Sequence, residues 1–481
     1  MPGSLVIEQS RIAAVEPAQG TTSNAWILPG LIDAHLHPLE VGLELLFANL
    51  AGARTIVEVL DRLAEHRAAA AESGMMLGFN LEPDDLVERR YPCRIELDQV
   101  MSDVPMLVYR VDGHSAVTNT AGLALLSPLN ALGTEVDSHG EPTGVLRGPA
   151  YEQASRRFKR RLPPELVRES LLRCGQEAVR QGVTTIAALI GTEETTGDEL
   201  QVMLDALASG LPRAVPFVQT WNHEVVLEFG LDRIGGCLLI DGSFGSHTAA
   251  LKREYADAAG NLGMAFVTDE KLVSFLRRSE ELRLSTAFHA IGDRAVEQVV
   301  RCHERIGRSS LRHRIEHAEL LNPGLIERIA RLKLVLGVQP AFEATWGGPD
   351  RMYSCRLGER WRLTNPFRSL IQAGVVLAGS SDAPITPICP LAGIRAALEH
   401  PNAEQRVTPE QALAMFTRNA AFSLGLEREV GRLAPGFSAD LTILTGDPRN
   451  MPDCRVAATC QGGNWVFKDN NLLKSLGFEL Q

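Results

Sequence analysis

Apolar and polar positions are grouped in blocks along the chain. Short apolar runs rich in Val, Ile, Leu and Thr fall at 26–37, 105–114, 183–190, 214–220, 237–243, 284–293, 312–320, 334–340 and 375–382. Each ends in polar residues, the pattern of buried strands that emerge at one edge of a sheet. Between them lie longer stretches with apolar residues at helical spacing, including 165–181, 268–282 and 293–306. At 408–421 the sequence TPEQALAMFTRNAA carries a helix start, with Thr408 as cap, Pro409 first and Gln411 three residues after the cap.

Strand–helix alternation predicts a parallel sheet. A closed (β/α)8 barrel and an open doubly wound sheet both satisfy it. A barrel needs about 250 residues, so a large share of the 481-residue chain is left for other structure. The stretches SLVIEQSRIAAVEP and VGRLAPGFSADLTILTG read as short strands and turns without helices between them. Residues 1–28 and 430–481 are therefore expected to meet in one small β-domain. Residues 29–429 are expected to form the α/β body. Within it, 76–165 is longer than one barrel step needs and predicts an insertion over the mouth.

Composition then narrows the function classes. With 45% hydrophobic and 22% charged residues, the chain is globular rather than disordered. Lys and Arg number 48 against 59 Asp and Glu, a net charge of −11, with no Lys/Arg block. Neither nucleic acid nor an anionic membrane is expected as a partner. No apolar run approaches the roughly 18 residues of a spanning helix. The first residues, MPGSLVIEQS, lack the basic segment of a secretory leader. Eight cysteines without a CxxC pair suggest neither a disulfide framework nor a structural zinc site. These features predict a cytoplasmic protein with a small-molecule partner, and they are compatible with a homo-oligomer.

Chemistry-bearing residues collect where the apolar runs end. The first ends in Asp33-Ala-His35-Leu-His37, and side chains two apart on a strand share a face. Two imidazoles side by side make half of a first-row metal site. Taken alone, an HxH pair is equally well a hydrogen-bonded or exposed pair of histidines. His289 in FHAIGDRA, His317 in RIEHAE and Asp382 in GSSDAP add three more donors at run ends. Such a mixed nitrogen and oxygen set suits Zn, Mn, Fe or Co better than Mg or Ca.

PGLIDAHLHP, DGSFGS, HAIGDRA, RHRIEHAE, GSSDAP and GRLAPGFSADLTIL, in that order, resemble the amidohydrolase superfamily. More narrowly they resemble its amidohydrolase-3 group, which includes N-substituted formamide deformylase. The resemblance implies a (β/α)8 TIM-like barrel with a small β-sandwich built from both chain ends. It implies metal-activated hydrolysis, with His35 and His37 as first-strand ligands. His289 and His317 stand at the fifth- and sixth-strand positions, and Asp382 is the eighth-strand carboxylate. Arg110, Asp112, His114 and Asn119 in YRVDGHSAVTN match a loop that lines the substrate pocket in this group. Asp241 and Ser243 follow the fourth barrel strand and face the pocket or form its turn.

One position departs from the pattern. Four residues before Asp241, where the group commonly carries a bridging modified Lys, stands Cys237. A thiolate can ligate zinc; a free Cys is also a common small apolar residue on a buried strand. Because the side chain is short, the economical expectation is one ion held by His35, His37, His289 and Asp382. Asp382 is then the general base, and His317 polarises the substrate carbonyl or positions the water. In a two-ion site His289 and His317 hold the second ion.

Three functions compete. The first is hydrolysis of a non-peptide C–N bond in an amide, N-formyl, carbamate or cyclic amide. The second is hydrolytic deamination of a heterocycle at a one-ion site. Deaminases commonly carry an acid as HxxE at the fifth-strand His, and here HAIG places Gly292 there. The third is a non-catalytic scaffold, which is expected to have lost ligands that this chain keeps.

Overall fold

The structure is a computed structural model that describes residues 3–17, 25–129, 132–448 and 454–477. Eight parallel strands pair in sequential order. They are β1 (Leu31–Leu36), β2 (Val183–Ile190), β3 (Arg213–Val218) and β4 (Arg233–Leu239). β5 (Ser285–Ala290), β6 (Arg314–His317), β7 (Val335–Val338) and β8 (Leu377–Gly379) complete the set. Every residue of β1 and β2 is buried, as in sheets covered on both faces. The polypeptide closes on itself just past β8. The Asp382 N–H donates to the His35 carbonyl, and the His37 N–H to the Ala383 carbonyl, both at 2.9 Å. This is the (β/α)8 barrel, with Ile32, Ala187, Leu189, Phe217, Ala287 and Ala378 packed together across five strands.

Between β1 and β2 the chain makes a second, six-stranded sheet. Its order is Ala48–Asn49, Met76–Leu81, Met106–Arg110, Ser115–Thr118, Pro142–Arg147 and Thr134–Val136. It has its own apolar core, including Val59, Leu63, Met76, Val108 and Val117. The insertion expected over 76–165 overlaps this sheet, which begins earlier, at Ala48. Helices Gly148–Lys159 and Pro164–Arg180 carry the chain back to β2. Asp112 ties the sheet to the barrel, accepting from Ser246 Oγ at 2.5 Å.

Strands from both ends of the chain share one antiparallel sheet. Trp26–Pro29 pairs with Leu441–Leu444, which pairs with Val456–Gln461, and that with Asn464–Lys468. A hairpin of Gly3–Glu8 and Arg11–Pro17 lies alongside, its Leu5, Ile7 and Ile12 in one core with Leu441 and Cys460. Arg213 of β3 anchors this sheet through Asp440 at 2.8 Å.

The helix start at Thr408 forms as read. Its hydroxyl accepts from the Gln411 N–H at 3.3 Å and the Gln411 side chain accepts from the Thr408 N–H at 2.9 Å. The helix does not run through 421. It stops at Met415 and a second one covers Arg418–Ser423. Thr417 Oγ1 donates back to the Leu413 carbonyl at 2.7 Å, competing with the backbone ladder at the break.

Candidate metal centre

The five donors at the run ends converge at the C-terminal mouth of the barrel. His35 Nε2 and His37 Nε2 lie 3.1 and 3.3 Å from Asp382 Oδ1. The His35 ring is 5.2 Å from that of His317, which is 4.4 Å from that of His289. His317 and Asp382 both hold left-handed backbone, at φ 69° and 56°. For side chains with a Cβ this is strained, and strain of this kind gathers at functional sites.

Two of the four histidines are aimed by their Nδ1. His35 Nδ1 donates to Glu316 Oε2 at 2.8 Å, and Arg314 holds the same carboxylate at 2.7 and 2.8 Å. His317 Nδ1 donates to Gln339 Oε1 at 2.8 Å, and Gln339 is fixed in turn by Ser380 at 3.0 Å. With Nδ1 protonated, Nε2 of each ring carries a lone pair. Those two nitrogens and Asp382 Oδ1 are buried and have no hydrogen-bond partner. Buried polar atoms are rarely left so. Burial opposes a charge on both rings, yet Asp382 and Cys237 beside them raise their pKa, so the cluster draws positive charge, which a cation supplies.

Cys237 stands inside this cluster. Its Sγ faces His289 Nδ1 at 3.6 Å and lies within 4.8 Å of the ligand nitrogens of His35 and His317. The expectation that its side chain is too short to reach these donors is corrected by that position of the Sγ. Burial works against a charged thiol, but His289, His317 and His35 around it hold its pKa well below the ordinary range. Asp382 behaves alike: burial opposes its charge, and His35 and His37 keep it well below the carboxylate range. Burial and the neighbouring His317 push His289 down to about 4, so its imidazole is neutral near neutral pH.

The other expected residues separate. His114 and Arg110 line the cavity above the centre, and the His114 ring lies 5.7 Å from that of His289. Arg110 is held by Glu82 and Asp112, each at 2.8 Å. Asn119 does not reach the cavity, which corrects its expected place beside the substrate. It caps helix Thr120–Leu125: Oδ1 accepts from the Gly122 and Met106 N–H groups, and Nδ2 donates to the Met101 and Val104 carbonyls. Asp241 is fully buried and does not line the cavity either. It accepts from the N–H groups of Ala250, Ile291 and Gly292 at 2.7, 2.9 and 2.8 Å and ties two barrel loops together. Burial pushes its pKa up to about 7 despite those donors.

Sequence reading singled out neither Gln339 nor Glu316 as a positioning group. It also missed the extent of the space above the centre, a cavity of about 920 Å³ between barrel and insertion. Its walls include Phe342, Trp346 and Tyr353 on the barrel side and Phe79, Tyr109 and Tyr151 on the other.

A closed barrel with nitrogen, oxygen and sulfur donors at its strand ends, under a roomy pocket, defines the class of barrel metal hydrolases. Within that class the chain belongs to the amidohydrolase family, whose model matches residues 23–467. It is 25% identical to N-substituted formamide deformylase of Arthrobacter pascens, covering 89% of this chain and 84% of that protein. It is 29% identical to the protein Long After Far-Red 3 of Arabidopsis thaliana, over 92% and 82% of the two chains. The crystal structure of an uncharacterized metal-dependent hydrolase from Pyrococcus furiosus superposes with a TM-score of 0.75 at 26% identity, covering 93% and 95%. Membership in this family implies a divalent metal ion.

Proposed function

We propose that the chain hydrolyses a non-peptide C–N bond of a small molecule, of the amide, N-formyl, carbamate or cyclic amide kind. The observation that carries the reading is the convergence of His35 Nε2, His317 Nε2 and Asp382 Oδ1, all buried and without hydrogen-bond partners, at the floor of the cavity. His35, His37, His289, His317, Cys237 and Asp382 would hold divalent ions, whose Lewis acidity would activate water near neutral pH and polarise a carbonyl. Asp382 takes the proton from the attacking water and delivers it to the leaving nitrogen. The carbonyl carbon keeps the water oxygen, and the nitrogen leaves as an amine. His114 hydrogen-bonds the substrate carbonyl from the insertion side, and Arg110 shapes the wall beside it. Asp241 positions His289 by holding the loop after β5.

The donors group into two adjoining sets, and we read them as two ion positions. His35, His37 and Asp382 form one; Cys237 and His317, with the His289 ring 4.4 Å from that of His317, form the other, and His35 adjoins both. The expectation of a single ion assumed that Cys237 cannot reach the donors, and the Sγ within 4.8 Å of the His35 and His317 nitrogens supports two ions instead. A thiolate in the set favours zinc. The eight free cysteines support a reducing, cytoplasmic setting, and among the described residues no helix is long and apolar enough to cross a membrane.

Deamination has less support. A Cβ at Gly292 would lie 2.1 Å from the Ala250 carbonyl oxygen, so no acidic side chain can stand where that chemistry wants one. The test is elemental analysis of the purified protein, followed by a hydrolysis screen over N-formyl, N-acyl, carbamate and cyclic amide compounds. Amine release with bound metal supports the proposal. Ammonia release from heterocycles alone would replace it with deamination, and a metal-free protein would refute it.

A further inference from the structure

Helix Gly148–Lys159 forms one wall of the cavity, presenting Glu152, Ser155, Arg156 and Lys159 to it at three- and four-residue spacing. Most cations along the cavity are already matched. Lys159 pairs with Glu40, and Arg356 with Asp257. Arg110 is bound by Glu82 and Asp112, each at 2.8 Å, and Arg156 by Glu194 at 3.3 Å. Lys271 lies over the Trp221 ring at 4.4 Å. An anionic group entering this space meets guanidinium groups that carboxylates already hold.

Glu152 is the exception among the carboxylates of the inner wall. Among the described residues no donor hydrogen-bonds it, and its nearest cation is Arg156 at 3.9 Å, already engaged by Glu194. Carboxylates outnumber Lys and Arg along the cavity lining. Burial raises the cost of a charge at Glu152, and His114, Lys159 and Arg156, none of them hydrogen-bonded to it, offset only part of that cost; a carboxylate in such a place gains most from a cation that comes to it. Next to it in sequence, Tyr151 stands edge-on to Tyr109 at 6.2 Å, and Tyr109 stacks on Phe79 at 5.1 Å. Aromatic faces beside a carboxylate are a common setting for ammonium recognition.

We propose that Glu152 is a specificity-determining residue that anchors a cationic, ammonium-bearing end of the substrate, with Tyr109 and Tyr151 flanking it. This rests on the reading of the cavity as the hydrolytic site and adds the substrate's charge to it. The scissile bond sits at the metal centre, and the cationic end lies against helix Gly148–Lys159.

The test is calorimetric binding to the metal-loaded enzyme of (2-phenoxyethyl)trimethylammonium and of its uncharged carbon isostere, 3,3-dimethylbutyl phenyl ether. A quaternary ammonium cannot ligate the metal. Wild type should bind the cation at least about fivefold tighter. Glu152→Gln should bring the ratio close to one, and Glu152→Asp should keep part of the preference. Equal binding in wild type, or a preference that survives Glu152→Gln, would overturn the proposal. If the Glu152-dependent preference is present and no C–N bond in the screen is cleaved, the hydrolytic reading fails and the cation site stands.

Discussion

His35 and Glu316 are 281 positions apart in the chain and share a hydrogen bond of 2.8 Å at the heart of the site. The carboxylate is fully buried and doubly held by Arg314, so it fixes both the tautomer and the plane of the imidazole. Removing its charge while keeping its shape should loosen the metal without unfolding the barrel. Glu316→Gln is expected to weaken metal affinity by about 10- to 100-fold. Competition with a chelator measures this directly, and unchanged affinity would show that the pair is purely structural.

On the two-ion reading, Cys237 sets the ion count. If its thiolate lies between two positions, Cys237→Ala leaves the second ion held mainly by neutral His289 and His317. Metal content should fall from about two ions per chain toward one, with hydrolysis reduced. Elemental analysis of both proteins decides it. The same stoichiometry in the variant would return the site to a single ion and Cys237 to the role of a small core residue.

The donors were legible because each polar residue stands at the end of an apolar run, and barrel strands bring such ends together. Gln339 obeys the same rule, being the first polar residue after β7, yet an amide attracts less notice than an imidazole. The Arg314–Glu316 pair was also readable, since the two lie on one strand. That Glu316 reaches β1 was not, because contacts across the barrel leave no local pattern. Asn119 was misplaced for the opposite reason. Its local signal, an Asn just before a helix, is a capping signal, and the pocket-loop resemblance overrode it.

The shared end sheet makes a direct prediction about truncation. Trp26–Pro29 pairs with Leu441–Leu444, and Ile12 is buried against Ala439, Leu441 and Cys460. Ending the chain near residue 430 removes these partners and exposes an unpaired strand edge. The product should be insoluble on expression. A soluble and active truncation would mean the barrel does not depend on this domain.

Acid sensitivity should have a component far from the metal. His303 is buried beside His313, with ring centroids 5.0 Å apart, and its Nε2 has no hydrogen-bond partner. Burial, and then His313, holds its pKa well below 6.5. The unfolded chain therefore binds a proton that the folded one refuses. Stability from this group is full above about pH 6.5 and is lost as pH falls below it. His303→Leu should flatten that fall, by at most about 2 kcal/mol at pH 5. Urea unfolding at pH 7.5 and pH 5 provides the comparison, and an identical pH dependence in the two proteins would refute the assignment.

Gly337 on β7 offers a sharper probe of how the site is held. A Cβ placed there would lie 2.0 Å from Glu316 Oε2 and 2.8 Å from Arg314 Nη2. Neither neighbour is a free side-chain end. Glu316 is bonded to His35 and Arg314, and the Arg314 guanidinium also donates to the Ala34 carbonyl at 2.7 Å. A methyl group at 337 must therefore push the carboxylate off His35 or force the strands apart. Overpacking a tight core costs about 1–3 kcal/mol, so Gly337→Ala should fold with reduced stability. Its metal affinity should fall at least as far as that of Glu316→Gln, because the same hydrogen bond is lost through displacement. Gly337→Ala combined with Glu316→Ala makes room for the methyl group and should recover part of the lost stability but none of the metal affinity. Recovery of both would mean that Glu316 does not aim His35, and that Gly337 is small only for the packing of β6 against β7.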